Sequence, residues 1–339
     1  MAKIAVYGAG GWGTALAVML CKAGHAVTLW SAHVSTLERL QREGENSRLL
    51  PGVHLPPELA YSNADDNASD ADFVILAVPS CAVRETARRL SGALREDTIV
   101  VNVAKGFEEH TLKRPSEVIG EELPNVKVAT LSGPSHAEEV SRGVPTTVVA
   151  ASKWQEAALA VQDAFMNPMF RIYVNPDIVG VEIGGATKNV IALAAGICDG
   201  LRLGDNPKAA LMTRGITEMA RLGMRLGGRA PTFAGLAGIG DLIVTCASEH
   251  SRNRRAGIYI GQGMAATEAV AKVGMTVEGY TAAHTVHLLA ERHGVDMPIV
   301  TECYRVLYEQ KDPFTAISDL MQRQKKHEFE DVWLRGSNW

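Results

Sequence analysis

The chain opens on an apolar run, Lys3–Tyr7 (KIAVY), which reads as a buried strand, and glycines follow at once. Residues 14–23 (TALAVMLCKA) are good helix formers with no proline, Gly24 stops them, and a second apolar run occupies Ala26–Trp30. This order predicts a β-α-β unit. Further β-branched, apolar runs recur at 73–78 (FVILAV), 98–103 (TIVVNV), 126–131 (VKVATL), 146–150 (TTVVA) and 171–174 (RIYV), alternating with helical stretches such as 82–94. The alternation predicts an α/β fold with a doubly wound parallel sheet. After Asn175-Pro176-Asp177 the strand pattern stops. Asp177 suits a helix N-cap, and from Ile178 onward long segments rich in Ala, Leu and Gly predict an all-helical half. The expected division is a Rossmann domain over 1–177 and a helical domain over 178–339. The stretch 181–196 is hydrophobic nearly all round, which predicts a buried helix.

A length of 339 residues suffices for two domains, each with its own core. Apolar residues make up 46% and charged residues 21%, the balance of an ordinary soluble protein, and the net charge of −4 supplies no basic field for nucleic acid. No apolar run approaches the length of a membrane span and no signal peptide precedes the first strand, so a cytoplasmic protein is expected. The five cysteines (21, 81, 198, 246 and 303) are scattered, odd in number and lack a C-x-x-C pair. Buried thiols are expected from them rather than disulfides or a zinc site. His284 and His287 share a helix face, but with no third ligand the reading is a solvated surface and no metal.

The first candidate chemistry lies in the glycines. Gly8, Gly10 and Gly13 have the spacing G-x-G-x-x-G between a strand and a helix. In a dinucleotide fold the first allows a tight turn, the second lets backbone approach the pyrophosphate, and the third lets helix pack closely on strand. The second strand ends Trp30-Ser31-Ala32-His33, with no acid before Glu38 to hold an NAD ribose, so nothing disfavours a 2′-phosphate; His33 either contacts the cofactor or is a solvated loop residue. Ligands in such sheets bind beyond the strand ends, which here carry Lys105, Gly133 and Ser135. Lys105 could reach a substrate oxygen or the nicotinamide; Gly133 and Ser135 would line the same crevice.

The helical half adds Lys188 and Asn189 within its apolar stretch. A lysine there either snorkels to the surface or is desolvated, which lowers its pKa and suits proton exchange near neutrality. Gly240-Asp241-Leu242 places a lone carboxylate where it could pair with Lys188, and Thr245 lies one helical turn further. Ser251-Arg252-Asn253-Arg254-Arg255 groups donors with the fork geometry that suits phosphate. Together these parts suggest hydride transfer between a nicotinamide and a small phosphorylated carbonyl compound. A reductase acting on a carboxylate such as a 2-hydroxy acid, and a dinucleotide sensor without turnover, are the alternatives.

In order along the chain, Gly8-Ala9-Gly10, Gly133-Pro134, Gly184 to Asn189, Gly240-Asp241-Leu242 with Thr245-Cys246, Ser251 to Arg255, Val277-Glu278-Gly279-Tyr280 and Met297-Pro298-Ile299 resemble the bacterial NAD(P)-dependent glycerol-3-phosphate dehydrogenase family. The resemblance spans nearly the whole chain. It implies a Rossmann domain followed by a helical domain like that of 6-phosphogluconate dehydrogenase, and reduction of dihydroxyacetone phosphate to sn-glycerol 3-phosphate for phospholipid synthesis. The Ala- and Gly-rich surface of the helical half is enough for a homodimer, which is the expected assembly. The resemblance makes Lys188 the proton donor and acceptor with Asp241 beside it, and has Lys105 place the carbonyl. The substrate would be held by Arg252 and Asn253 at its phosphate and lined by Gly133, Ser135, Asn189, Thr245 and Ser251. Gly8, Gly10, Gly11, Trp12, Gly13, His33, Lys105, Ala137, Arg252 and Glu278 would lie near the cofactor. The family often has a basic residue or histidine straight after the Trp30 position, where this chain has Ser31-Ala32 before His33, so NADPH and NADH both stand as cofactors. The stretch 325–339 has no counterpart in the resemblance and reads as a loose tail.

Overall fold

The computed structural model describes residues 1–64, 68–325, 327 and 328; the suggested tail lies outside the described residues apart from Lys325, His327 and Glu328. The chain separates into two compact units, one formed by Met1–Glu108 with Lys113–Ile178, the other by Glu109–Leu112 with the chain from Val179 on.

The first unit is built on eight strands: β1 (Lys3–Tyr7), β2 (Ala26–Trp30), β3 (Ala60–Ser62), β4 (Phe73–Leu76), β5 (Ile99–Asn102), β6 (Lys127–Ser132), β7 (Thr146–Ala151) and β8 (Phe170–Asn175). Its helices are α1 (Gly11–Lys22), α2 (Val34–Glu43), α3 (Val83–Arg89), α4 (Pro115–Glu122), α5 (Ala137–Ser141) and α6 (Gln155–Phe165). The strands form one sheet in the order β3-β2-β1-β4-β5-β6-β7-β8. Alternation along β1 shows why both faces are covered. Ile4 and Val6 pack with Leu16, Leu20 and Phe165 of α1 and α6, whereas Ala5 and Tyr7 pack with Val83, Ala87 and Ile119 of α3 and α4.

Three details depart from the sequence expectations. The strand β3 is an addition, and β7 runs antiparallel to β6, because an apolar run carries no sign of its direction. The helix expected over 82–94 covers only Val83–Arg89, after a 3₁₀ turn at Ser80–Ala82; the chain turns away at Gly92, whose φ is +79°.

In the second unit the helices are α7 (Ile178–Gly200), α8 (Asp205–Arg225), α9 (Ala230–Phe233), α10 (Asp241–Ala247), α11 (Arg252–Gly261), α12 (Ala266–Val273), α13 (Glu278–His293), α14 (Pro298–Tyr308) and α15 (Pro313–Met321). No strand appears among its described residues. The helix α7 is buried along almost its whole length, as its all-round apolar pattern requires. By length and composition two segments, Ile178–Gly200 and Ala230–Ala247, are apolar enough to cross a membrane, which corrects the expectation that no run approaches that length. Burial of the first inside its own unit accounts for its composition without a bilayer. The second is not one helix but α9, a π turn at Leu236–Gly240 and α10.

Candidate functional site

The turn after β1 is shaped by its glycines. Gly8 has φ +122°, its N–H donates to the Trp30 carbonyl at 3.0 Å, and a Cβ on it would stand 2.4 Å from the Ala77 carbonyl oxygen. At Gly13 a Cβ would stand 1.9 Å from the Gly8 carbonyl oxygen, so α1 lies directly on the turn. Gly10, by contrast, has open space where a Cβ would be. The first turn of α1 holds no acidic side chain and no side-chain cap, which leaves a helix N-terminus suited to an anion. Trp12 and Ala137 pack on the same small cluster of Ala15, Val18, Leu50 and Val53, and a Cβ on Gly11 would lie 4.0 Å from that of Ala137. Gly8, Gly10, Gly11, Trp12, Gly13 and Ala137 thus gather at one place. His33 is exposed just before α2, where its N–H donates to Ser31 Oγ at 3.2 Å.

Beyond the ends of β5 and β6, Lys105 Nζ and Ser135 Oγ each donate to the Gly133 carbonyl at 3.0 Å. Gly133 has φ +137°, and a Cβ there would press to 3.0 Å from Val148 Cα. The three residues singled out at the strand ends therefore form one cluster.

In the second unit, Lys188 lies mid-way along α7 with 5% of its surface exposed, and it forms an ion pair with Asp241, which is 1% exposed. The ammonium also donates to Thr245 Oγ1 at 2.7 Å, while that hydroxyl donates to the Asp241 carbonyl at 2.6 Å. The hydroxyl has one proton, so these two bonds fix its orientation. The snorkelling alternative is excluded by this burial. Two glycines bring the pair together. A Cβ on Gly184, one turn before Lys188, would stand 2.7 Å from the Ala237 carbonyl, and one on Gly238 would stand 2.0 Å from that of Phe233. The π turn Leu236–Gly240 therefore rests on α7 backbone and delivers Asp241 as the first residue of α10. A lone ammonium at this depth would be strongly disfavoured; the carboxylate offsets that cost and keeps the pair's charge local.

Ser251 is the N-cap of α11, its Oγ accepting from the Arg254 N–H at 3.2 Å. Asn253 Nδ2 donates to Asn189 Oδ1 at 3.0 Å, and its Oδ1 accepts from the Gly279 N–H at 2.9 Å. That bond sets the first turn of α11 beside the residue that follows Lys188, and Glu278, the first residue of α13, adjoins Gly279. Arg252 is half-buried at the first position of α11. Arg254 does not belong with the anion-binding donors, because its Nε is held by Asp199 of α7 at 2.7 Å. The sequence contained a signal for this helix start, a serine directly before helix-forming residues, beyond the clustering of basic side chains.

Cysteine and histidine expectations need correction. Cys198, Cys246 and Cys303 are buried, and burial raises all three thiols, Cys198 to about 11 and Cys246 to about 12. Cys21 is only partly buried, and Cys81 is exposed because it sits in the 3₁₀ turn after β4. His284 and His287 are half-buried rather than solvated: His287 stacks on Tyr304 of α14 at 4.2 Å between ring centres, and His284 lies 5.4 Å from Tyr308. Among the described residues, no group of three or more His, Cys, Asp or Glu side chains is placed to hold a metal ion.

Comparison with known proteins decides the family. A family model described as NAD-dependent glycerol-3-phosphate dehydrogenase N-terminus matches residues 3–158, and one described as the C-terminus of the same enzyme matches residues 177–318. A glycerol-3-phosphate dehydrogenase [NAD(P)+] of Desulfitobacterium hafniense is 53% identical over 334 residues, covering 98% of this chain and 95% of that protein. The chain belongs to the NAD-dependent glycerol-3-phosphate dehydrogenase family. A relative of the same name from Moorella thermoacetica is 55% identical over 330 residues, 97% of this chain and 98% of its own. The crystal structure of the Coxiella burnetii glycerol-3-phosphate dehydrogenase superposes with a TM-score of 0.92 at 39% identity, covering 95% of this chain and 99% of that one. As a family member the protein is an oxidoreductase that uses a nicotinamide dinucleotide. The residues present fit that cofactor: the open position at Gly10, the uncapped start of α1 and the enforced turn at Gly8 are what a pyrophosphate requires.

Proposed function

We propose that this protein reduces dihydroxyacetone phosphate to sn-glycerol 3-phosphate, with NADPH or NADH as reductant, and so serves glycerophospholipid synthesis. The observation that carries the reading is the buried Lys188–Asp241–Thr245 group, coupled through Asn189 and Asn253 to the capped N-terminus of α11. Held at the glycine turn, a reduced nicotinamide would supply the hydride that the ketone carbon receives. Lys188 gives its proton to the carbonyl oxygen as negative charge develops there, and Asp241 and Thr245 hold the amine at the place from which it is reprotonated. Arg252 and Asn253 grip the phosphate at the start of α11, favoured by the helix dipole there. Asn253 holds that turn to Asn189 as well as contacting substrate, and Ser251 contributes through its cap. Lys105, fixed with Ser135 on the Gly133 carbonyl, orients the substrate oxygen. Gly8 to Gly13, with Ala137, receive the dinucleotide, and His33, Arg252 and Glu278 contact it.

The same reading divides the chain into a dinucleotide-binding domain over 1–177 and a catalytic domain over 178–339, acting in the cytoplasm as a homodimer. Light scattering on the purified protein tests the dimer. The activity itself is tested by mixing the protein with dihydroxyacetone phosphate and following oxidation of NADPH and then NADH. Rapid oxidation of either supports the proposal, and the ratio of rates sets the cofactor preference. A protein that binds the cofactor but leaves it reduced would overturn it.

A further inference from the structure

Asp199 lies near the end of α7, three turns beyond Lys188, and its carboxylate is shared between two cations of other helices. Arg254 Nε of α11 donates to it at 2.7 Å, and Lys208 Nζ of α8 donates to its two oxygens at 2.9 and 3.1 Å. All three side chains are about four-fifths buried, with exposures of 21%, 18% and 18%. Around them α7 and α11 touch through backbone. A Cβ on Gly196 would stand 2.1 Å from the Arg254 carbonyl, one on Gly200 2.4 Å from that of Ile258, one on Gly257 2.1 Å from that of Leu193, and one on Gly261 2.4 Å from that of Ile197. Such contacts bring the backbones of the two helices close together.

Two polar ties among those described add to this packing. One is Asn189–Asn253, within the proposed substrate site. The other is Asp199–Arg254, outside it. Arg254 also gives its N–H to the Ser251 cap, so the residue held by Asp199 is the one that closes the first turn of α11.

We propose that Asp199 is a positioning residue for the substrate phosphate: by holding Arg254 it fixes the N-terminal turn of α11, with Arg252 and Asn253, relative to Lys188. The inference rests on the reading of that turn as the phosphate grip. A displacement of this turn weakens binding of the phosphate and leaves the proton donor in place, because Lys188 and Asp241 make no use of Arg254.

The test is steady-state kinetics of Asp199→Ala and the isosteric Asp199→Asn, with dihydroxyacetone phosphate and with unphosphorylated dihydroxyacetone, and with inorganic phosphate as competitor. Asp199→Ala is expected to lower kcat/KM for the phosphate ester by roughly 10–10²-fold, mostly through KM, since small displacements of positioning groups cost that much. Inhibition by inorganic phosphate should weaken in parallel, while kcat/KM for dihydroxyacetone stays unchanged. Asp199→Asn, which keeps an acceptor for Arg254, should fall between, and it decides alone if the alanine variant does not fold. An unchanged KM for the ester, or an equal loss on both substrates, would overturn the positioning role with the phosphate reading intact. A wild-type protein indifferent to the phosphate group and to inorganic phosphate would overturn both.

Discussion

Lys188 combines deep burial with bonds to Asp241 and Thr245, and removal of its amine tests a role that neither of these can take over. Lys188→Ala should lower kcat by about 10²–10⁴-fold, the usual worth of general acid catalysis, with cofactor binding intact. A kcat within a few-fold of wild type, measured by NADPH oxidation at saturating substrate, would remove it from that role. A buried carboxyl outside this chemistry sets a pH dependence. Both oxygens of Glu218 on α8 accept from the start of α14, from the N–H groups of Ile299 at 2.8 Å and Val300 at 3.2 Å. Pro298 precedes them without an N–H. Burial nevertheless outweighs these bonds and pushes the carboxyl from its ordinary 4.5 up to about 8; nearby Asp296 raises it further and Arg221 opposes. Between those two values the folded protein keeps a proton that the unfolded chain releases. The contribution of this group to stability is therefore full below about pH 4.5 and is lost as pH rises through 8. Glu218→Gln abolishes the titration. The wild type's stability relative to this variant should decline between pH 5 and pH 8 in urea unfolding, and parallel curves would contradict the assignment.

At the scale of elements, helix contact through glycine is the recurrent device. Gly257→Ala places a methyl 2.1 Å from the Leu193 carbonyl and 2.8 Å from the Ile197 nitrogen, so α7 and α11 must separate. Overpacking of this kind costs about 1–3 kcal/mol, to be read from denaturant midpoints, and the shift of α11 should raise KM for dihydroxyacetone phosphate. A variant with wild-type stability and KM would show that the contact is not rigid. These approaches also mark what was legible in the sequence. The glycines of residues 8–13 announced themselves through spacing between a strand and a helix, and Lys188 through its place in an apolar stretch. The glycines at 196, 200, 257 and 261 carry no comparable sign, since the partner of each lies on another helix about 60 residues away. For the same reason the run from Arg252 to Arg255 read as one cluster of donors: Asp199, which claims Arg254, is far off in the chain. The π turn before Asp241 and the reversed direction of β7 are likewise set by tertiary contacts and not by local preference.

Over the whole molecule, the glycine turn proposed to receive the pyrophosphate and the lysine proposed for proton transfer fall in different compact units, with Gly8 to Gly13 in the first and Lys188 in the second. Binding and chemistry should therefore separate cleanly under mutation. A ligand at 100 times its Kd stabilises the state it binds by about 2.7 kcal/mol. For a domain of this size that corresponds to a rise in Tm of about 5–10 °C. NADPH should give this rise in the wild type and undiminished in Lys188→Ala, although the latter turns over slowly. Gly13→Ala should lose it, because a methyl 1.9 Å from the Gly8 carbonyl oxygen forces α1 off the turn whose N–H groups receive the pyrophosphate. Differential scanning fluorimetry of the three proteins with and without NADPH makes the comparison. Loss of the shift in Lys188→Ala would mean that the lysine supports cofactor binding itself, and a retained shift in Gly13→Ala would move the dinucleotide away from the glycine turn.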